Sequence, residues 1–411
     1  MKPATLCVQL GTANDANGAI VPPIYQTATF EQPNATEFGD YDYTRSGNPT
    51  RTLVEEQLAR LENAKYACAF ASGMAALAAL THGLKPGEEI IVGDDLYGGT
   101  VRLLERVVSN HNVVVRYADT TDIDGVRQLT TPRTRLILIE TPSNPLFRIS
   151  DIGQLSDLAH SVGAVLAVDN SMLSPIFQKP LGLGADVVIH SATKFLCGHS
   201  DVTAGAVISN DSELHEAVAF QQNAQGAGLS PFESWLLLRG LKTLSLRVER
   251  QNLSARTIAE FLQEQPAVSK VFYPGLESHD GYSIHKRQAI GDGGVLSFTT
   301  GDSAFSARFV EATQLFRIAV SFGSVGSTIS LPCRMSHASI PLTLRDRLGP
   351  PEDLVRVSVG IEEVNDLIDD LRDALQTAAT VRRTLGSSDQ VRQTVRLSAV
   401  LGHNVRQTTT G

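Results

Sequence analysis

Long apolar runs are missing from this sequence. No stretch approaches the ~18 residues needed to cross a bilayer, which argues against a membrane-spanning protein. Cysteine is scarce: there are four (Cys7, Cys68, Cys197 and Cys333), scattered and without a Cys-x-x-Cys pair. That pattern speaks against a disulfide framework and a cysteine zinc site, and for a reducing compartment. The net charge of −9 contains no block of like sign, so neither nucleic acid nor an anionic membrane is an expected partner. None of the ten histidines shows zinc spacing such as His-Glu-x-x-His. The glycine cluster Gly291-Asp-Gly-Gly294 follows no strand able to make a dinucleotide turn, which removes the case for a nicotinamide enzyme. The opening residues, Met1 to Val8, show neither a long apolar core nor an Arg/Ser-rich transit composition. A cytoplasmic enzyme is therefore expected.

What is present is length and alternation. At 411 residues the chain exceeds the ~250–300 at which one hydrophobic core stops growing, so two domains are expected. Residues 1–50 are polar and turn-rich, with Pro22, Pro23, Pro33 and Pro49, and do not read as a unit able to fold alone. From 51 to 240, short apolar runs at 66–71, 89–92, 113–115, 135–139, 165–168, 187–189 and 205–208 alternate with amphipathic or turn-rich segments. Runs apolar on both faces predict an α/β fold with a mainly parallel sheet covered by helices. A long helical pattern from Pro231 to about 262 links this large domain to a smaller α+β domain, 241–380. Strands are expected there near 268–273, 293–299 and 354–359, with helices near 303–314 and 362–377. The stretch 381–411 has few apolar residues and reads as a mobile tail.

Ligands of such sheets collect beyond the carboxyl ends of strands. Glu140, Asp169-Asn170 and Ser191-Ala-Thr-Lys194 all lie just past such ends. A surface lysine after a buried strand is the ordinary reading of Lys194 alone. With Asp169, Ser191 and Thr193 beside it, the set is the one pyridoxal phosphate (PLP) needs: an amine for its aldehyde, a carboxylate for its ring nitrogen, hydroxyls for its phosphate. The turn Ala71-Ser-Gly-Met-Ala-Ala76 opens a helix, where the N–H groups of Gly73 and Met74 can meet an anion; a plain tight turn is the alternative. Tyr97 can lie flat on a cofactor ring or be structural. Asn144, between Pro142 and Pro145, can donate to a phenolate or belong to a polar turn. Arg356 lies within the apolar run Leu354 to Gly360. Buried, it needs a carboxylate such as a substrate's; on an edge it needs none.

These motifs resemble the cystathionine and methionine metabolism family of fold-type-I PLP-dependent enzymes, over residues 8–377. The likeness is carried by Tyr43-Thr-Arg-Ser-Gly-Asn-Pro-Thr50, Ala71-Ser-Gly-Met-Ala75, Asp169-Asn170, Ser191-Ala-Thr-Lys-Phe-Leu-Cys-Gly-His199 and Arg356-Val-Ser-Val-Gly-Ile-Glu362. The resemblance implies the fold-type-I transferase fold. It implies that Lys194 bonds the cofactor, Asp169 pairs with its ring nitrogen and Tyr97 stacks on the ring. Gly73, Met74, Ser191 and Thr193 would hold the phosphate, joined by Tyr43 and Arg45 from a neighbouring subunit. It further implies a dimer with shared active sites, usually paired into a tetramer. Arg356, Asn144 and Ser321 would receive the substrate carboxylate.

Within that family, the stretch from Ile318 to Pro341 is most similar to the plant-type cystathionine β-lyases, as is Ile24-Tyr-Gln-Thr-Ala-Thr-Phe-Glu-Gln-Pro33. Val320 stands where γ-synthases and many γ-lyases resemble one another in carrying a glutamate. Gly99 stands where methionine γ-lyases usually have a cysteine. The resemblance implies cleavage of L-cystathionine to L-homocysteine, pyruvate and ammonia. A cystathionine γ-synthase, a γ-lyase or an O-acylhomoserine sulfhydrylase is the alternative. A non-catalytic relative is disfavoured because Lys194 and Asp169 are both present.

Overall fold

A computed structural model describes residues 1–9, 17–338, 340 and 342–380. The tail expected over 381–411 lies outside the described residues.

All seven apolar runs of the first half form strands: β1 (Tyr66–Phe70), β2 (Glu89–Gly93), β3 (Val114–Ala118), β4 (Thr134–Glu140), β5 (Val165–Asp169), β6 (Val187–His190) and β7 (Gly205–Ser209). They make one sheet in the order β1-β7-β6-β5-β4-β2-β3. The pairs β2/β3, β2/β4, β4/β5 and β5/β6 are parallel, while β7 runs antiparallel to both β1 and β6. Every residue of β2, β6 and β7 is buried, as continuous apolar runs covered by helices on both faces must be. Helices start where the sequence supplies caps. Ser72 accepts from the Ala75 N–H at the head of Gly73–Thr81, and Asp151 accepts from the Gln154 N–H at the head of Ile152–Ser161.

The second half carries a five-stranded sheet, in the order β10-β11-β12-β9-β8. Its strands are β8 (Lys270–Phe272), β9 (Val295–Thr299), β10 (Arg317–Ile318), β11 (Thr328–Ser330) and β12 (Val355–Ser358). Phe298, Phe309, Val355, Val357 and Leu371 sit in a hydrophobic cluster of their own beside it. β8, β9 and β12 fall where the apolar runs place them. β10 and β11, with two and three residues, are too short to show an alternating pattern. The single helical pattern after Pro231 is two helices, Pro231–Leu241 and Leu244–Gln263. At the break, buried Arg247 takes up the carbonyls of Gly240 (2.9 Å) and Phe195 (2.8 Å), so the interruption is hydrogen-bonded rather than exposed. Among the described residues no helix is long and apolar enough to cross a membrane.

Candidate active site

The carboxyl ends of the parallel strands open onto a cavity of about 470 Å³, within the size range of small-molecule sites. The candidate cofactor- and substrate-binding residues Gly73, Met74, Tyr97, Asn144, Asp169, Ser191, Thr193, Lys194, Ser321 and Arg356 line it, as do Glu140 and Val320. Tyr43 and Arg45 do not. Tyr43 is exposed, and Arg45 donates to the Asn223 carbonyl at 3.0 Å and to its Oδ1 at 3.1 Å.

One end of the cavity is built for an anion. The first N–H groups of the helix Gly73–Thr81 have no intrahelical acceptor. Gly73 is needed there: a Cβ on it would stand 3.0 Å from the Ser191 Cα and Cβ. That close approach brings the Ser191 hydroxyl to the helix N-terminus, where backbone dipoles favour negative charge. The Ser191 N–H in turn donates to Ser171 Oγ at 2.7 Å. The Thr193 hydroxyl is engaged by the backbone of Ala204, from which it accepts at 2.9 Å.

The opposite requirement appears at the end of β5. Burial raises the carboxyl pKa of Asp169, and the Ser171 hydroxyl and N–H only partly oppose this. The Ser171 N–H lies 2.9 Å from Asp169 Oδ1. Glu140 is Asp169's partner in the β4/β5 register. It is pushed well above the ordinary carboxylate range by burial and by Asp169. A desolvated carboxylate of this kind is stabilised by a cation placed against it.

Lys194 Nζ donates to Ser321 Oγ at 2.7 Å and stands 4.9 Å from the centre of the Phe322 ring. Burial and the Arg356 guanidinium bring its pKa down to about 8, against the pull of Asp169 and Glu140. Ser321 itself has φ of 80°, a left-handed conformation unusual for a residue with a side chain. Held so, its carbonyl accepts from Arg356 Nη2 at 3.0 Å while its hydroxyl meets Lys194.

Arg356, on β12, is 2% exposed. Its guanidinium also donates to Asn144 Oδ1 at 2.8 Å, and burial lowers its pKa to about 10. Both partners are neutral, and among the described residues Arg356 makes no ion pair. A buried guanidinium held only by neutral acceptors can take up a carboxylate. The alternative of an exposed edge residue is thereby removed.

Tyr97 leads into the helix Gly98–Arg106 with its ring across Gly99, where a Cβ would stand 2.3 Å from Tyr97 Cε1. A side chain at position 99 would have to displace the Tyr97 ring from this place. Ser171, Phe322 and Glu140 are also parts of this wall, the first two unmarked in the sequence and Glu140 marked there only by its place at a strand end. Ser171 was findable as the hydroxyl two residues past Asp169, the spacing of an Asp-capped turn; the roles of the others are visible only once the strands are in register.

An anion cup, a buried carboxylate, a depressed lysine and an exposed tyrosine ring together match the donor and acceptor set of PLP. A family profile described as Cys/Met metabolism PLP-dependent enzyme matches residues 4–376. The chain belongs to that family. Its cofactor is PLP, and its fold is the fold-type-I fold of the family's solved structures. A chloroplastic cystathionine beta-lyase of Arabidopsis thaliana is 54% identical over 374 residues, covering 91% of this chain and 81% of the relative. A cystathionine beta-lyase of Neurospora crassa is 51% identical over 373 residues, covering 90% and 81%. Among solved structures, a cystathionine gamma-lyase from Lactobacillus plantarum complexed with L-serine is 40% identical with a TM-score of 0.90, covering 92% of this chain and 100% of that one.

The lowered pKa of Lys194 has a kinetic consequence for this family member. Only the free amine attacks an aldehyde. At pH 7 an amine with a pKa of about 8 is roughly 300-fold richer in free base than an ordinary lysine. Capture of PLP by the apoenzyme is expected to accelerate with pH up to about 8 and level off above it. Stopped-flow reconstitution followed at the cofactor's visible band checks this. A rate climbing tenfold per unit up to pH 10 contradicts it.

Proposed function

We propose that this chain is a carbon–sulfur β-lyase that cleaves L-cystathionine to L-homocysteine, pyruvate and ammonia. The observation that carries the reading is the pairing of a buried arginine that has only neutral partners with an amine on the same serine: Arg356 on the Ser321 carbonyl, Lys194 on its hydroxyl. An amino acid anchored by its α-carboxylate on Arg356 presents its Cα beside Lys194. The β-lyase relatives at 54% and 51% identity support β- over γ-cleavage. So does the apolar wall at Val320 and Phe322.

Bound PLP supplies an electron sink for the charge left at Cα. The residues of the chain do the rest. Arg356 binds and orients the carboxylate, and Asn144 Oδ1 and the Ser321 carbonyl hold the guanidinium in place. Lys194, with its proton affinity lowered into the range useful near neutrality, takes the Cα proton. The sulfur leaves Cβ with a proton from Lys194 or Tyr97, and water then hydrolyses the remaining three-carbon fragment to pyruvate and ammonia. Ser191 and the Gly73–Met74 turn would hold the phosphate, with Thr193, and Asp169 the ring nitrogen.

The site is shared between subunits in this reading. Tyr43 and Arg45 stand off their own chain's cavity, and their segment exposes Ile20 and Phe38; residues 1–50 reach the neighbouring subunit's phosphate, in a dimer paired into a tetramer. Residues 51–240 form the PLP-binding domain and 241–380 the smaller one, a division supported by the two sheets. We assign the enzyme to the cytoplasm on the ground of its four unpaired thiols. The deciding experiment is turnover of PLP-loaded protein on L-cystathionine, with homocysteine and cysteine quantified separately. Homocysteine with pyruvate is the expected result. Cysteine with 2-oxobutyrate replaces the reading with a γ-lyase, and no turnover except with an O-acylhomoserine and a thiol replaces it with a transferase.

A further inference from the structure

Two loops carry the side chains that face the cavity from the β2 and β4 ends. Residues 94–97 bear Tyr97, and residues 141–148 bear Asn144. They are laced together by Asp95, which accepts from the Ser143 hydroxyl and from the Leu146 N–H at 3.2 Å, and by Arg148 on Asp94 at 2.8 Å. A third segment, contributing Met335, Ser336 and Ala338 to the cavity wall, is tied to both loops through one side chain. His337 Nε2 stands 3.1 Å from the Leu96 carbonyl oxygen and 3.2 Å from that of Asn144.

Carbonyl oxygens only accept, so Nε2 carries the hydrogen and is shared between the two. The ring is 2% exposed. Burial and the Arg356 guanidinium lower its pKa to about 4, which keeps it neutral at working pH. Nδ1 is then an acceptor, and the hydroxyl it meets at 2.9 Å is that of Ser336. The imidazole also stands edge-on to the Tyr97 ring, with centroids 6.5 Å apart and planes at 85°. One of the carbonyls it binds directly precedes Tyr97. The other belongs to Asn144, whose side chain holds Arg356.

We propose that His337 is a positioning residue of this site: its Nε2–H clamps the Leu96 and Asn144 carbonyls together and so fixes the Tyr97 ring and the Arg356 receptor relative to each other. The inference rests on the lyase reading above for its assay and on the geometry for its content. A displacement of about 1 Å in reacting groups can cost on the order of 100-fold in rate, which sets the expected size of the effect.

The test separates the two bonds of the ring in PLP-loaded enzyme. Glutamine places an N–H near the position of Nε2, whereas asparagine reaches only the position of Nδ1. His337→Gln is expected to keep kcat/KM for L-cystathionine within about threefold of wild type. His337→Asn is expected to lose about 100-fold, with altered visible circular dichroism of the bound cofactor and a melting temperature close to that of His337→Gln. In a Tyr97→Ala background the same Asn substitution should cost clearly less than in wild type, because one of the two groups it positions is gone and only its hold on Arg356 through Asn144 remains. Equal losses in the Gln and Asn variants overturn the clamp, as does a full Asn loss retained in the Tyr97→Ala background. A crystal structure of the holoenzyme with Nε2 more than about 4 Å from both carbonyls overturns it whether or not the variants fold. Wild-type enzyme inactive on cystathionine refutes the lyase reading alone; the cofactor dichroism of the variants then still decides the clamp.

Discussion

Lys194→Ala is expected to abolish turnover, with kcat falling at least about 10³-fold, the combined scale of a lost covalent tether and a lost general base. The loss should come without collapse of the fold. Among the described residues the Lys194 side chain makes one hydrogen bond, to Ser321 Oγ, and its burial with a pKa lowered to about 8 marks a group whose charged form is uncomfortable there. Removing it relieves that cost, so the melting temperature of the apoenzyme should hold or rise slightly. The Gly73–Met74 turn, Ser191 and Asp169 remain, and PLP should still bind, now removable by dialysis. Lys194→Arg should not rescue. A guanidinium keeps its proton at any working pH and can neither attack an aldehyde nor take a proton from carbon. Turnover assays, dialysis and thermal melts on the three proteins check the set. An Ala variant with a tenth of wild-type activity would remove Lys194 from the chemistry.

Much of this site could be read from the chain because the strands are apolar on both faces and end abruptly. Val165 to Val168 and Val187 to Ile189 are unbroken apolar runs, so Asp169, the last residue of β5, and the Ser191–Lys194 group, just past His190 at the end of β6, stand out as polar positions at neighbouring strand tips. Glu140 was marked by its place at a strand end, but nothing in the sequence assigned it a role. Its importance comes from register, which puts it opposite Asp169, and register is set by pairing between strands that the sequence does not write down. Arg356 was legible as an oddity within an apolar run; whether it was buried depended on β9 and β11 flanking β12. His337 was the least legible. It sits in a segment of turns with no period, and its two acceptors are backbone carbonyls some 190 to 240 positions away. Backbone acceptors leave no residue-type signature. The break at residues 242–243 was hidden for a similar reason, since Arg247 compensates it from the next turn.

Substitution of Arg356 is the second large effect. Arg356→Gln is expected to lower kcat/KM for L-cystathionine by about 30- to 1,000-fold, the equivalent of about 2–4 kcal/mol for a buried charge pair with one partner removed. Arg356→Lys should recover little of it. The guanidinium spans two neutral acceptors, Asn144 Oδ1 and the Ser321 carbonyl, and still presents N–H groups to a carboxylate, a fork geometry that an ammonium cannot reproduce. Most of the loss should appear in KM if the carboxylate is bound equally in ground and transition states, and in kcat as well if the grip also aligns Cα with Lys194. A role confined to folding predicts a different pattern. The discriminating substrate is a decarboxylated analogue of cystathionine, which keeps the reacting amine and thioether but offers Arg356 nothing to hold. Wild-type enzyme should process it poorly, and Arg356→Gln should process it no worse than wild type does. The mutation thus erases the preference for the α-carboxylate without touching the remaining machinery. If Arg356→Gln lowers turnover of both compounds by the same factor, the arginine supports the wall of the cavity and the carboxylate is bound elsewhere.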